Sequence, residues 1–285
     1  MKKLLNAGGR PLDLSTPAVM GILNLTPDSF HEASRFSNLQ DIIHQTHVYL
    51  EEGATIIDIG AQSTRPGAEY LSANEEWQRL EPVLKPLTDT FPNSIFSIDT
   101  FHAEIAEKAF DHGVTIINDI SGGTLDQDMF ATVARLQVPY ILMHIQGTPQ
   151  TMQVSPRYEN VIEDILSSLS DKLQHLRDAG LNQIIIDPGF GFGKSMQQNY
   201  EILHGLRRFE ALAAPLLVGL SRKSMINRVL NVAPEAALNG TTVLNTIALM
   251  GGASILRVHD VKPAVEAVKL FMAYKQAGVI QPTNL

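Results

Sequence analysis

Asp99, Asn118 and Asp187 each end a short apolar run, and Lys223, Arg257 and His259 stand just beyond two later runs. Carboxylates that follow buried residues are costly unless something donates to them. Each alone reads equally well as the cap of a following helix. Gathered in one place, the three suit a ligand rich in N–H donors, such as a flat heterocycle with an amino-pyrimidinone edge, because one carboxylate accepts two parallel N–H bonds. Ser221-Arg222-Lys223-Ser224 reads as a strand-to-helix turn. Ser224 and its neighbouring backbone N–H groups are then expected at a helix N-terminus, where a carboxylate or phosphate docks. In Arg257-Val258-His259 the period of two puts both polar side chains on one strand face. Arginine stacks on planar rings and histidine meets an anionic leaving group.

Two further segments, Asn24-Leu25-Thr26-Pro27-Asp28-Ser29-Phe30 and Ser63-Thr64-Arg65-Pro66-Gly67, read as long loops that carry polar groups over a site. Asp187-Pro188-Gly189-Phe190-Gly191-Phe192-Gly193-Lys194 is glycine-rich but lacks the Walker spacing, so it reads as a close backbone approach with an aromatic wall.

These residues need a scaffold that brings distant strand ends together. Eight apolar runs recur with helical stretches between them: 19–23, 55–59, 95–98, 115–117, 140–143, 184–186, 216–220 and 255–256. Runs of this kind are strands buried on both faces, as parallel sheets require. The connecting segments carry helix punctuation. Leu39, Ile42, Ile43, Thr46 and Leu50 lie between Ser37-Asn38 and Gly53; Thr100 is a cap ahead of Ile105, Ala106, Ala109 and Phe110; and Ile162 to Leu176 mark a long helix ending at Gly180. Eight βα units predict an α/β fold, a single (β/α)8 TIM barrel whose core spans about 18–275 of residues 1–285, with every strand's C-terminal end at one mouth. A doubly wound sheet fits less well, since no GxGxxG follows the first strand.

Composition narrows the chemistry. With no cysteine, disulfides, thiol nucleophiles and thiolate-ligated metals are excluded. A net charge of −8 argues against a general nucleic-acid surface, so anionic ligands must be met by local cations. No apolar stretch approaches the roughly 20 residues that span a bilayer. The N-terminal Met1-Lys2-Lys3-Leu4-Leu5 lacks the apolar core of a secretory signal, so a cytoplasmic location is expected.

Several segments in order resemble the dihydropteroate synthases of the pterin-binding family, from about Met20 to Val261. They are Gly21 to Phe30, Ser63 to Ala68, Asp187 to Lys194, Ser221 to Ser224 and Arg257 to Asp260. The resemblance implies Mg²⁺-dependent displacement of pyrophosphate from 6-hydroxymethyl-7,8-dihydropterin pyrophosphate by p-aminobenzoate, giving 7,8-dihydropteroate, by a homodimer open to sulfonamide competition near Phe30 and Pro66. It implies that Asp99, Asn118, Asp187 and Lys223 hold the pterin edge, with Arg257 on its face. Asn24, Arg65, Arg257 and His259 would meet the pyrophosphate, Asn24 also contacting Mg²⁺. Thr64, Pro66, Phe192 and Ser224 would form the p-aminobenzoate site. One departure stands in the first loop, where His31-Glu32-Ala33-Ser34 replaces the family's usual Ser-Asp-Gly-Gly run. Glu32 keeps the carboxylate one methylene longer, and loss of both glycines is expected to stiffen the loop. Three rival readings are a methyltetrahydrofolate-binding methyltransferase, a pterin-binding paralogue without turnover, and a Schiff-base aldolase built on Lys223. Arg65, Ser221-Arg222-Lys223 and His259 speak against the first.

Overall fold

A computed structural model of the chain describes residues 4–25, 35–62, 70–147 and 157–278. The chain enters through an antiparallel hairpin, β1 (Leu4–Ala7) and β2 (Arg10–Asp13). Its turn is Gly8-Gly9, with φ of 61° and 87°, the double left-handed geometry that suits a two-residue hairpin. Eight parallel strands follow: β3 (Ala18–Asn24), β4 (Ile56–Gly60), β5 (Ile95–Asp99), β6 (Ile116–Asp119), β7 (Tyr140–Met143), β8 (Ile184–Asp187), β9 (Leu217–Val218) and β10 (Ile255–Val258). Their order is β8-β7-β6-β5-β4-β3-β10-β9, and a bridge between Ile186 and Leu216 joins the two ends. This is the TIM barrel that the eight apolar runs predicted.

The helices are α1 (Arg35–Glu52), α2 (Ala73–Thr90), α3 (Ala103–Asp111), α4 (Met129–Leu136), α5 (Val161–Asp178), α6 (Met196–His204), α7 (Ser224–Leu230), α8 (Leu238–Met250) and α9 (Val261–Ala277). Two expected starts move. The first helix begins at Arg35, ahead of Ser37. Thr100 does not cap α3; His102 occupies that place, Thr100 Oγ1 accepts from His102 N, and Asp126 Oδ2 accepts from Ala103 N. None of the helices among the described residues is long and apolar enough to cross a membrane.

Strand alternation divides the core in two. Outward residues such as Ile57, Ile59, Phe96 and Ile98 pack under the helices. Inward residues at the strand starts, Met20, Ile56, Ile95, Ile116, Ile141, Ile185 and Ile255, form a separate cluster at the bottom of the barrel. The hairpin seals it with Leu5, Ala7 and Leu12. This floor was not visible in the strand rhythm. Two residues further along four of these strands the inward position turns polar: Asp58 above Ile56, Asn118 above Ile116, Asp187 above Ile185 and Arg257 above Ile255, while Ile22 and Met143 stay apolar in the cavity wall. Period two therefore stacks a polar mouth on an apolar floor.

Candidate active site

The mouth encloses a cavity of about 190 Å³ whose lining includes Asn24, Asp99, Asn118, Asp187, Phe192, Lys223, Arg257 and His259. Residues contributed by β3, β5, β6, β8 and β10, with the loops after β8 and β9, converge there from across the chain.

Arg257 is the hub. Its Nε donates to Asp58 Oδ2 at 2.6 Å and its NH2 group donates to Asp99 Oδ2 at 2.7 Å. Asp58 is wholly buried and also accepts from Asn118 Nδ2 at 3.0 Å. That bond fixes the Asn118 amide with its nitrogen turned to Asp58. Burial alone would lower the Arg257 pKa, but Asp58 and Asp99 hold it above its ordinary value, so the guanidinium stays charged. Burial pushes the Asp99 carboxyl up to about 7; Arg257 opposes this, and Asp58 adds to it. Asp187 is likewise raised by burial and opposed by Lys223. Its Oδ1 accepts from Gly189 N at 2.7 Å.

Lys223 spans the cavity wall formed by the loop after β8. Its Nζ donates to the Phe190 carbonyl and lies 4.8 Å from the centre of the Phe192 ring. Burial lowers its pKa to about 8, against the pull of Asp187. The expected close backbone approach is present. Gly189, Gly191 and Gly193 all have left-handed φ, and a Cβ on Gly189 would lie 1.9 Å from the His144 carbonyl oxygen. Phe192 faces the cavity as the expected aromatic wall, while Phe190 is fully buried.

His259 is held by Ser221. Ser221 Oγ accepts from the His259 backbone N–H at 3.2 Å and lies 2.9 Å from His259 Nδ1. These two contacts to one hydroxyl fix the orientation of the imidazole. His259 reaches the rim, yet the protein around its ring and the nearby Arg257 and Arg222 lower its pKa to about 4. It therefore offers an N–H rather than a charge. Arg222, with φ of 57°, turns away from the cavity and forms a two-pronged pair with Asp260 at 3.0 and 2.7 Å, joining the loops after β9 and β10.

Of the expected site residues, Asn24, Asp99, Asn118, Asp187, Phe192, Lys223, Arg257 and His259 share this cavity. Ser224 does not line it; it sits exposed in the first turn of α7, with Lys223 at the cap position. Phe30, Glu32, Thr64, Arg65 and Pro66 lie outside the described residues. Asp58, Gln62 and Ser221 are site residues that motif reading did not assign. For Asp58 a signal existed: a carboxylate in the middle of Ile56-Ile57-Asp58-Ile59 must meet a cation or donor.

The model of the family described as pterin binding enzyme matches residues 20–259. The chain belongs to the dihydropteroate synthases of this family. It is 42% identical over 271 residues to the Escherichia coli (strain K12) dihydropteroate synthase, covering 94% of this chain and 95% of that one. The fold is similar to a Yersinia pestis dihydropteroate synthase with a sulfonamide drug complex, at TM-score 0.89 and 41% identity over 96% of this chain and 99% of that one. It is equally similar, at TM-score 0.89 and 34% identity, to a Xanthomonas albilineans dihydropteroate synthase with 4-aminobenzoic acid, covering 99% of this chain and 100% of that one. As a dihydropteroate synthase the enzyme is a transferase of folate biosynthesis. It condenses 6-hydroxymethyl-7,8-dihydropterin pyrophosphate with p-aminobenzoate to 7,8-dihydropteroate and pyrophosphate.

Proposed function

We propose that one cavity carries the condensation by joining a donor-accepting wall to a cationic rim. The observation that supports this most is the convergence of Asp99, Asn118 and Asp187 with Lys223, Arg257 and His259. Asp187 and Asp99 accept N–H bonds from the pterin edge, Asn118 and Lys223 complete its polar contacts, and the Arg257 guanidinium, already flat between two carboxylates, stacks on the ring. The pyrophosphate meets Asn24, Arg65, Arg257 and the neutral N–H of His259. p-Aminobenzoate lies against Phe192 with Thr64 and Pro66, its carboxylate toward Ser224. Phe30 and Glu32 are assigned to substrate binding by the family resemblance.

The amine of p-aminobenzoate is a neutral nucleophile and needs no strong base. Its lone pair forms the C–N bond at the pterin methylene as the C–O bond to pyrophosphate breaks, and the amine then gives up one proton. Charge on the leaving group is stabilised by Arg65, Arg257 and His259, while the electron-rich ring and its carboxylate partners stabilise positive character at the methylene. No three His, Asp or Glu side chains gather into a metal site among the described residues. The donor set still fits Mg²⁺, because this ion binds through substrate phosphates and few protein oxygens, and the Asn24 amide is such an oxygen at the end of β3. Bound there, Mg²⁺ would neutralise pyrophosphate charge.

We further read residues 1–285 as one cytoplasmic domain that pairs with a second copy. The supporting surface lies on α7, α8 and α9, where Leu230, Val243, Ile247, Met250, Leu270 and Tyr274 are exposed.

The test is pyrophosphate release by purified protein with the pterin pyrophosphate, p-aminobenzoate and Mg²⁺, omitting each in turn. Release that requires all three supports this reading. Pterin binding without release, and with no dihydropteroate formed, points instead to a paralogue lacking turnover.

A further inference from the structure

Lys194 closes the glycine-rich loop but does not line the cavity. Only 4% of it is exposed, and among the described residues no acidic side chain lies within ion-pair distance of it. Its Nζ instead lies 2.9 Å from the carbonyl oxygens of Gly189 and Phe192, 3.3 Å from that of His144 and 3.2 Å from His144 Nδ1. A buried ammonium is tolerated only when its hydrogens are met, and here backbone oxygens meet them. The left-handed glycines make this possible, since they turn the Gly189 and Phe192 carbonyls inward toward one point.

The rest of the loop is pinned around the same point. Asn199 Oδ1 accepts from Gly191 N at 2.7 Å, Tyr158 OH donates to Gly193 O at 3.0 Å, and Asn199 Nδ2 donates to the carbonyls of Lys194 and Ser195. Lys223 holds Phe190 O from the cavity side. Two lysines thus grip one loop from opposite sides. Lys223 faces the reactants and Lys194 is sealed behind the wall.

We propose that Lys194 is a positioning residue: its ammonium is a built-in cation that organises the loop carbonyls and thereby holds the Phe192 ring in place for p-aminobenzoate. This rests on the assignment of Phe192 to the p-aminobenzoate site. Asp187 and Lys223 each touch this loop, through Gly189 N and Phe190 O, but are also anchored by strand β8 and by the turn after β9, whereas Phe192 is carried by the loop alone. The effect therefore falls chiefly on one substrate. Burial lowers the Lys194 pKa to about 7, with Asp187 opposing and Lys223 adding to the shift, while the carbonyl oxygens around Nζ favour the charged form.

The experiment uses the full chain with Lys194→Ala, Lys194→Gln and Phe192→Leu, measuring kcat and the KM of each substrate and checking folding by thermal unfolding. Lys194→Gln retains two N–H donors and remains assayable should the alanine variant be too unstable. In folded Lys194 variants the KM for p-aminobenzoate should rise by roughly tenfold, while that for the pterin pyrophosphate stays within about twofold. Propylammonium should restore the p-aminobenzoate KM of Lys194→Ala and leave the wild type unaffected, a recovery that a general packing defect would not show. An unchanged p-aminobenzoate KM, or an equal rise for both substrates, in either folded variant overturns the proposal. If Phe192→Leu raises the p-aminobenzoate KM while the Lys194 variants do not, this proposal alone fails. If Phe192→Leu changes nothing, the assignment of Phe192 fails and the proposal falls with it.

Discussion

The Nε of Arg257 donates to Asp58 at 2.6 Å although 199 residues separate them in the chain. The same carboxylate oxygen takes the Asn118 amide, so a group that reaches no solvent aligns two cavity residues at once. Asp58→Asn removes the charge and leaves Arg257 paired to Asp99 alone. We expect kcat/KM for the pterin pyrophosphate to fall by about thirtyfold, roughly 2 kcal/mol, while the fold persists in circular dichroism. A variant with wild-type kinetics would remove Asp58 from the site.

The pH dependence follows from two groups. Asp99 titrates near 7 and must be ionised to accept N–H bonds, so kcat/KM falls as the pH drops below that value. Lys223 titrates near 8 and must be protonated to act as a cation, so kcat/KM falls again as the pH rises above it. A narrow bell in kcat/KM for the pterin pyrophosphate is expected, and Lys223→Met should abolish its alkaline limb. A profile flat from pH 6 to 9 would contradict both assignments.

Ser221→Ala deletes the partner of His259 Nδ1. The imidazole then loses its fixed orientation. The expected outcome is a drop in kcat of about tenfold with p-aminobenzoate KM little changed, measured by steady-state kinetics. Because His259 is held neutral, the loss should not depend on pH between 6 and 8.

Gly189→Ala tests the close approach after β8. The left-handed φ of 72° and the His144 carbonyl, 1.9 Å from the added Cβ, both oppose the change. Destabilisation of about 2 kcal/mol or more is expected, read as a lower unfolding midpoint in urea. Gly9, also left-handed but with open space around it, should cost less when changed to alanine.

Leu270 is 73% exposed on α9 beside Tyr274. If this face pairs two copies, Leu270→Glu should shift the sedimentation coefficient from dimer to monomer. An unchanged dimer would place the interface elsewhere.

The barrel and the cavity residues at strand ends were legible because each apolar run stops at a polar side chain. Asp99, Asn118 and Asp187 announce themselves in that way. Asp58 did not, since it lies inside its run and has outward-facing isoleucines on either side; only the period-two register shows that it shares the barrel interior with Arg257. Ser221 was visible as part of a motif, but its partnership with His259 depends on two neighbouring strands whose sequence positions differ by 38 residues. The floor hairpin escaped notice because four-residue strands carry too little alternation to be told from a polar terminus. Ser224 stands at the N-terminus of α7 as the strand-to-helix turn predicted, while the cap position belongs to Lys223, whose side chain turns back to the cavity.

The barrel's closure has its own consequence. β9 is only two residues long, and the bridge from Ile186 to Leu216 ties it to β8. Amides along this seam should exchange with solvent sooner than those of β4, which is paired along its length on both sides. Asp187 stands at the end of one bank and Lys223 just beyond the other. A heterocycle gripped by both would stitch the banks together, so the reactant itself completes the cylinder at its weakest join, and slower exchange at Ile186 and Leu217 would register its arrival.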